Sequence, residues 1–117
     1  MVKIERQIIF HGHYFQDFYI KADDKLKEKI GYVFRVVRTV NTVSEKFLNH
    51  LEGTDGLYEI RVESGGNIYR IFCCFDKGNL VVLFNVFQKK TQKIPKQEIE
   101  LAEKLKKEYF ALKDKQK

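Results

Sequence analysis

No apolar run in this chain approaches the ~20 residues that a membrane span needs. A charged-then-apolar leader is missing as well, so export is not expected and the cytoplasm is the expected address. Repeats and low-complexity tracts are absent. Cysteine is scarce, and its two copies, Cys73 and Cys74, are neighbours in an apolar stretch. Successive strand side chains point to opposite faces, so the pair is badly placed to bridge and reads as reduced, partly buried thiols. A metal pair or redox couple would need a spacer, and there is none. Of the three histidines, His11-Gly12-His13 has the form of a metal clip without a Cys or acidic cluster nearby to complete it. Surface or turn positions are expected for them. A two-histidine acid–base nuclease would need His11 or His13 to meet His50, which the sequence does not establish.

What is present suits one globular domain spanning residues 1–117. The 117 residues are 44% hydrophobic and 32% charged, enough for a single core but not for two. The net charge of +6 is uneven. Residues 1–87 carry 12 basic and 11 acidic side chains, whereas residues 88–117 carry 10 lysines against 5 acids. A cationic patch at the end of the last strand would draw RNA, DNA or an acidic protein. Lys113 to Lys117 are expected to form a solvated tail.

Hydrophobic spacing gives the order β-α-α-β-β-β-α, an α+β fold with helices packed on an antiparallel sheet. Val2 to Phe10 reads as a first strand, and His13 to Ala22 as a short helix or turn with its aromatics inward. Leu26, Ile30, Val33, Val37 and Val40 follow a 4-3-4-3 spacing that lines one helix face, with Asp23 or Asp24 as the cap. Gly31 is expected to mark a close helix–sheet contact. Thr42-Val43-Ser44-Glu45 fits a capping box opening a further short helix, with Phe47, Leu48 and Leu51 inward. Ser64-Gly65-Gly66-Asn67 and Asp76-Lys77-Gly78-Asn79 are tight-turn sequences joining antiparallel strands. Pro95, the single proline, opens a last helix running through Ile99, Ala102, Leu105, Tyr109 and Leu112.

Few polar residues interrupt the three strands, and they are mostly charged. Alternation from Leu57 to Glu63 assigns Tyr58, Ile60 and Val62 to the core and turns Leu57, Glu59, Arg61 and Glu63 outward. Arg70 shares a row with Ile68, Phe72 and Cys74, so it is not expected to be fully exposed. Beside Glu59 across the sheet it would form an ion pair or a cation held ready for phosphate. Such a set can cut RNA without cofactor or metal. A base takes the proton of a ribose 2′-hydroxyl, the oxygen attacks the adjacent phosphate, and fixed cations stabilise the developing charge. Glu59 could be the base, Arg61 and Arg70 the phosphate clamp, and Lys89 or Lys90 the aid to the leaving oxygen. Glu/Arg pairs on strands are also common surface decoration. The ten Phe and six Tyr sit at core spacing, except Phe87, which beside Gln88-Lys89-Lys90 could stack on a base.

Gly56-Leu57-Tyr58-Glu59-Ile60-Arg61-Val62 and Asn67-Ile68-Tyr69-Arg70-Ile71-Phe72 recur in order in a known family. With Phe87-Gln88-Lys89-Lys90-Thr91-Gln92-Lys93, Pro95 and Glu98-Ile99-Glu100-Leu101-Ala102, they resemble the HigB/RelE-type toxins of bacterial toxin–antitoxin pairs. The phage-derived-protein-like branch is the nearest in kind. The resemblance implies a RelE-like fold and a toxin that cleaves mRNA, usually in the ribosomal A site, under restraint by a helix-turn-helix antitoxin. It implies that Arg70 contacts the scissile phosphate, that Arg61 acts on the attacking hydroxyl, and that Lys90, with Lys89, aids the leaving group. Gln88, Lys93 and Phe87 would join Lys89 in holding RNA. At the Glu59 position some relatives carry lysine and others glutamate. Well-studied ribosome-dependent members keep a tyrosine or histidine near the C-terminus, where this chain has Pro95 and a long helix. Slow cleavage, catalysis by the cations alone, or completion of the site by ribosomal groups all fit that departure. The related ParE-type toxins share the fold but poison DNA gyrase and lack the basic set. A basic nucleic-acid-binding module with a structural Glu59/Arg61/Arg70 set is the remaining alternative.

Overall fold

The computed structural model describes residues 5–90 and 93–115. Eight elements follow one another: β1 (Gln7–Phe10), α1 (Tyr14–Lys21), α2 (Asp24–Thr39), β2 (Leu48–His50), β3 (Tyr58–Ser64), β4 (Asn67–Asp76), β5 (Leu80–Lys89) and α3 (Lys96–Lys115). The strands form one sheet in the order β1-β5-β4-β3-β2. From β2 to β5 it is an antiparallel meander, while β1 runs parallel to β5 at the edge. The α+β class expected from the sequence is observed, but the sheet is mixed rather than wholly antiparallel. Of the expected first strand, Val2–Ile4 lie outside the described residues.

Local chemistry accounts for the elements. Asp23 Oδ1 accepts the Leu26 N–H at 2.7 Å and caps α2, whose Leu26, Ile30, Val33 and Val37 are buried. Val40, the last of the helical series, falls on the cap itself and is exposed. Gly31 does not approach the sheet: a Cβ built there meets nothing within 4 Å. Gly65 (φ 59°) and Gly66 (φ 80°) form the two-residue turn between the paired Ser64 and Asn67, a conformation that glycine tolerates without a Cβ clash. In α3, Ala102 and Leu105 are buried, but Leu112 is half exposed and the neighbouring Phe110 packs in its stead.

The helix expected at Thr42–Leu51 is not formed. Ser44 instead makes a turn, its Oγ accepting from Lys46 N at 3.2 Å and its carbonyl from Phe47 and Leu48 N. Leu48–His50 then pair with Ile60, Glu59 and Tyr58 as an edge strand. Backbone pairing with β3 outweighs the local capping signal.

The sheet is covered on both faces. Ile60, Val62, Ile71, Cys73, Val81 and Leu83 pack with Phe15, Leu26, Ile30, Val33 and Val37 of α1 and α2. Leu57, Phe72, Cys74, Val82 and Phe84 pack with Ala102 and Leu105 of α3. The two cysteines thus fall on opposite faces as free thiols, and burial pushes both above the ordinary thiol range, Cys74 to about 11. Phe15 of α1 is buried, whereas Tyr19 keeps 37% exposure.

α3 is fastened at its far end by Asp76. Its Oδ2 accepts from Lys113 Nζ at 2.7 Å and from Tyr109 Oη at 2.8 Å, and its Oδ1 from Lys77 N. Lys113 therefore belongs to a helix and an ion pair, not to a free tail; Gln116 and Lys117 lie outside the described residues. The Lys113 hydrogen bond, ahead of the opposing effect of burial, lowers the Asp76 pKa from 3.8 to about 2. Burial, then the bond to Asp76, pushes Tyr109 up to about 12. A carboxyl depressed on folding stabilises above its unfolded pKa and loses that contribution as pH falls through the folded one. Stability should therefore decline between about pH 4 and pH 2, and Asp76→Asn should flatten that decline. Urea unfolding at stepped pH checks this; identical slopes for both proteins would contradict it.

Candidate functional site

The face of the sheet under α3 carries the charged residues. Alternation on β3 puts Glu59, Arg61 and Glu63 opposite to the buried Ile60 and Val62, and on β4 Arg70 follows Phe72 and Cys74. This face is not solvent-facing as expected, because α3 packs on it. Glu59 is 5% exposed and Arg70 7%. Arg61 stands directly across from Arg70 in the β3–β4 register, and Glu59 across from Phe72, one diagonal step from Arg70.

Two opposed guanidinium groups repel unless acids neutralise them. Arg70 Nη1 donates to Glu59 Oε2 in a buried ion pair. Arg61 Nη2 pairs with Glu63 Oε1 at 3.0 Å in a more exposed position. Both guanidiniums are thus partly used. Their Nε–H groups are buried without an acceptor among the described residues. Buried donors are nearly always satisfied in folded proteins, so these two N–H groups retain hydrogen-bonding capacity that the described residues do not use.

Glu59, Arg61 and Arg70 open into a cleft of about 630 Å³. Its other walls come from Glu45, Asn49, His50, Leu51 and Glu52 around β2, and from Lys93, Ile94 and Ile99 leading into α3. Of the residues expected from the sequence, the structure brings together Glu59, Arg61, Arg70 and Lys93. Lys89 lies across from Ile68 on the same sheet face but outside the cleft, and Lys90 follows it, exposed and also outside. Gln88 stands across from Tyr69 and points to the opposite face, its Nε2 donating to Asn67 Oδ1 at 3.1 Å. Phe87 packs edge-on against Phe72, ring centroids 5.2 Å apart, in the core beneath α3. Thr91 and Gln92 of the motif lie outside the described residues.

The sequence did not reveal the β2 wall, which depended on recognising a three-residue strand. Asn49 sits there across from Glu59, so it shares the cleft-facing side of the sheet. The histidines do not converge. His11, in the bend between β1 and α1, bonds Glu108 of α3 at 2.8 Å and is partly buried. His13 bonds Asp17, and His50 packs on Tyr58 at the opposite sheet edge. Among the described residues no three His, Cys, Asp or Glu side chains are grouped to hold a metal ion. No helix of the described residues is long and apolar enough to cross a membrane.

The arrangement can bind an anion: two guanidiniums with spare N–H donors and a lysine line one open hollow, and a phosphodiester oxygen is an acceptor that fits them. Removing one member of the buried pair strands the other. Arg70→Met should therefore cost about 3–5 kcal/mol, and Glu59→Leu with Arg70→Met should cost clearly less than the sum of the two single changes. Denaturant unfolding of the four proteins measures this, and additive losses would contradict a coupled pair.

The family model described as "Phage derived protein Gp49-like (DUF891)" matches residues 17–107, a span that includes every residue lining the cleft. The comparison with curated proteins found no match.

Proposed function

The chain belongs to the Gp49-like family of phage-derived proteins, a RelE-like, toxin–antitoxin-associated family that implies an antitoxin partner, and on that premise we propose that it is a toxin that cleaves mRNA in the ribosomal A site. The observation that carries the reading is that Arg61, Arg70 and Lys93 line one open cleft beside the Glu59 carboxylate, both arginines keeping an Nε–H without an acceptor among the described residues.

In this reading Arg61 and Arg70 grip the scissile phosphate through their spare donors. Glu59 accepts the proton of the neighbouring ribose 2′-hydroxyl as that oxygen bonds to phosphorus. The P–O5′ bond breaks, and the departing oxygen takes a proton from a lysine ammonium, with Lys90 as the assigned donor. Products are a 2′,3′-cyclic phosphate and a 5′-hydroxyl. Lys93 and Lys89, on the cleft side of the sheet, hold flanking nucleotides, whereas Gln88 and Phe87, turned to the other face and into the core respectively, are left out of this reading. The exposed position of Lys90 suits a group that reaches the phosphate only once RNA lies along the end of β5. The antitoxin of this reading is a helix-turn-helix protein encoded alongside.

Arg70 is an unsuitable first probe because its loss also removes a structural pair. Arg61→Ala and Lys90→Ala leave that pair intact. Each should relieve growth arrest on induction and reduce mRNA cleavage at least about a hundredfold, as removal of one charge-stabilising group does, with little change in thermal midpoint. Mapping 5′-hydroxyl ends in RNA from arrested cells measures this. Intact mRNA with double-strand DNA breaks in arrested cells would overturn the reading in favour of gyrase.

A further inference from the structure

Asn85 is the most deeply buried uncharged polar residue among those described, at 2% exposure, and it interrupts the apolar run of β5 from Leu80 to Phe87. Between the pairs Ile71–Val86 and Cys73–Leu83, β5 spends three steps where β4 spends two, so it carries one extra residue there. Such a bulge re-aims a side chain. Phe84 packs beneath α3, and Asn85 also reaches α3: its Nδ2 donates to the Glu98 backbone carbonyl at 3.1 Å and to Glu98 Oε1 at 3.0 Å. Its Oδ1 has no partner among the described residues.

Glu98 lies in the first turn of α3 and directly precedes Ile99, which with Lys93 and Ile94 forms one wall of the cleft. Apolar packing of Ala102 and Leu105 holds α3 down but is non-directional and permits sliding. Two hydrogen bonds from one buried amide to the backbone and side chain of a single residue fix both the height and the rotation of the helix start. We propose that Asn85 is a positioning residue that sets the Lys93–Ile99 wall against Arg61 and Arg70 at the spacing of an RNA phosphate. This rests on the RNA-binding reading given above.

The test is binding of a short single-stranded RNA with 2′-O-methyl riboses, which cannot be cleaved, over a range of salt. Each phosphate contact contributes about 0.7 to the slope of log K against log salt on single strands. Asn85→Leu should lower the slope by about 0.7, the same loss that Lys93→Ala produces, and Lys93→Ala should subtract nothing further in the Asn85→Leu background. A lower thermal midpoint with an unchanged slope, or an undiminished effect of Lys93→Ala in that background, overturns the proposal. Should Asn85→Leu not fold, Glu98→Ala, which removes the carboxylate that accepts from Asn85 and keeps the backbone acceptor, is read in the same cycle with the same two outcomes. A parent protein that shows no salt-dependent RNA binding overturns the reading beneath the proposal as well; a parent that binds while the cycle is additive overturns the proposal alone.

Discussion

A carboxylate and a guanidinium, both more than nine-tenths buried, meet between the two central hairpin strands. Neither could stay in that setting alone, because an unpaired charge under a helix carries a desolvation cost of several kcal/mol. Pairing satisfies Glu59 and leaves Arg70 with an unspent donor. A buried ion pair adds little net stability over well-packed apolar side chains of the same size.

The architecture keeps this pair dry yet reachable. α3 packs through Ala102 and Leu105 on Phe72, Cys74, Val82 and Phe84, so the middle of the sheet is sealed. Toward β2 the cover gives out, and the hollow lined by Arg61, Arg70 and Lys93 begins. Low polarity on one side and solvent on the other strengthen electrostatic contacts with a bound anion. The opposite end of the same helix is pinned by Tyr109 and Lys113 on Asp76, which resists any swing of the helix away from the sheet.

Local pattern revealed much of this and failed where long-range pairing decides. The Leu26-Ile30-Val33-Val37 face of α2, the Gly65-Gly66 turn and the helix start at Pro95 were legible because their causes lie within a few residues. The Arg70 row and its reach to Glu59 were legible too, since strand alternation fixes faces. Alternation cannot say which face is covered, however, and Glu59 was read as outward because the helix that buries it begins more than thirty residues later. β2 was missed for a related reason. Three residues carry no periodicity, and Ser44 offers a capping pattern that forms a turn instead. Asn85 was not singled out from the sequence, because its partner Glu98 becomes visible only when β5 and α3 are folded together. The +5 balance of the C-terminal stretch was apparent from the sequence, yet Lys113 is used for an internal ion pair and Lys93 for the cleft.

The central claim is that two arginine side chains, directly opposite each other on β3 and β4, hold spare N–H groups ready for one phosphodiester. Their Nε–H resonances report on it directly in a titration of the 15N-labelled protein with 2′-O-methyl RNA. The expected result is that the Arg61 and Arg70 Nε–H signals shift together, at the same RNA concentration, as each gains a charged acceptor. Stationary Arg61 and Arg70 signals, while residues elsewhere on the protein respond to the same RNA, would contradict the account.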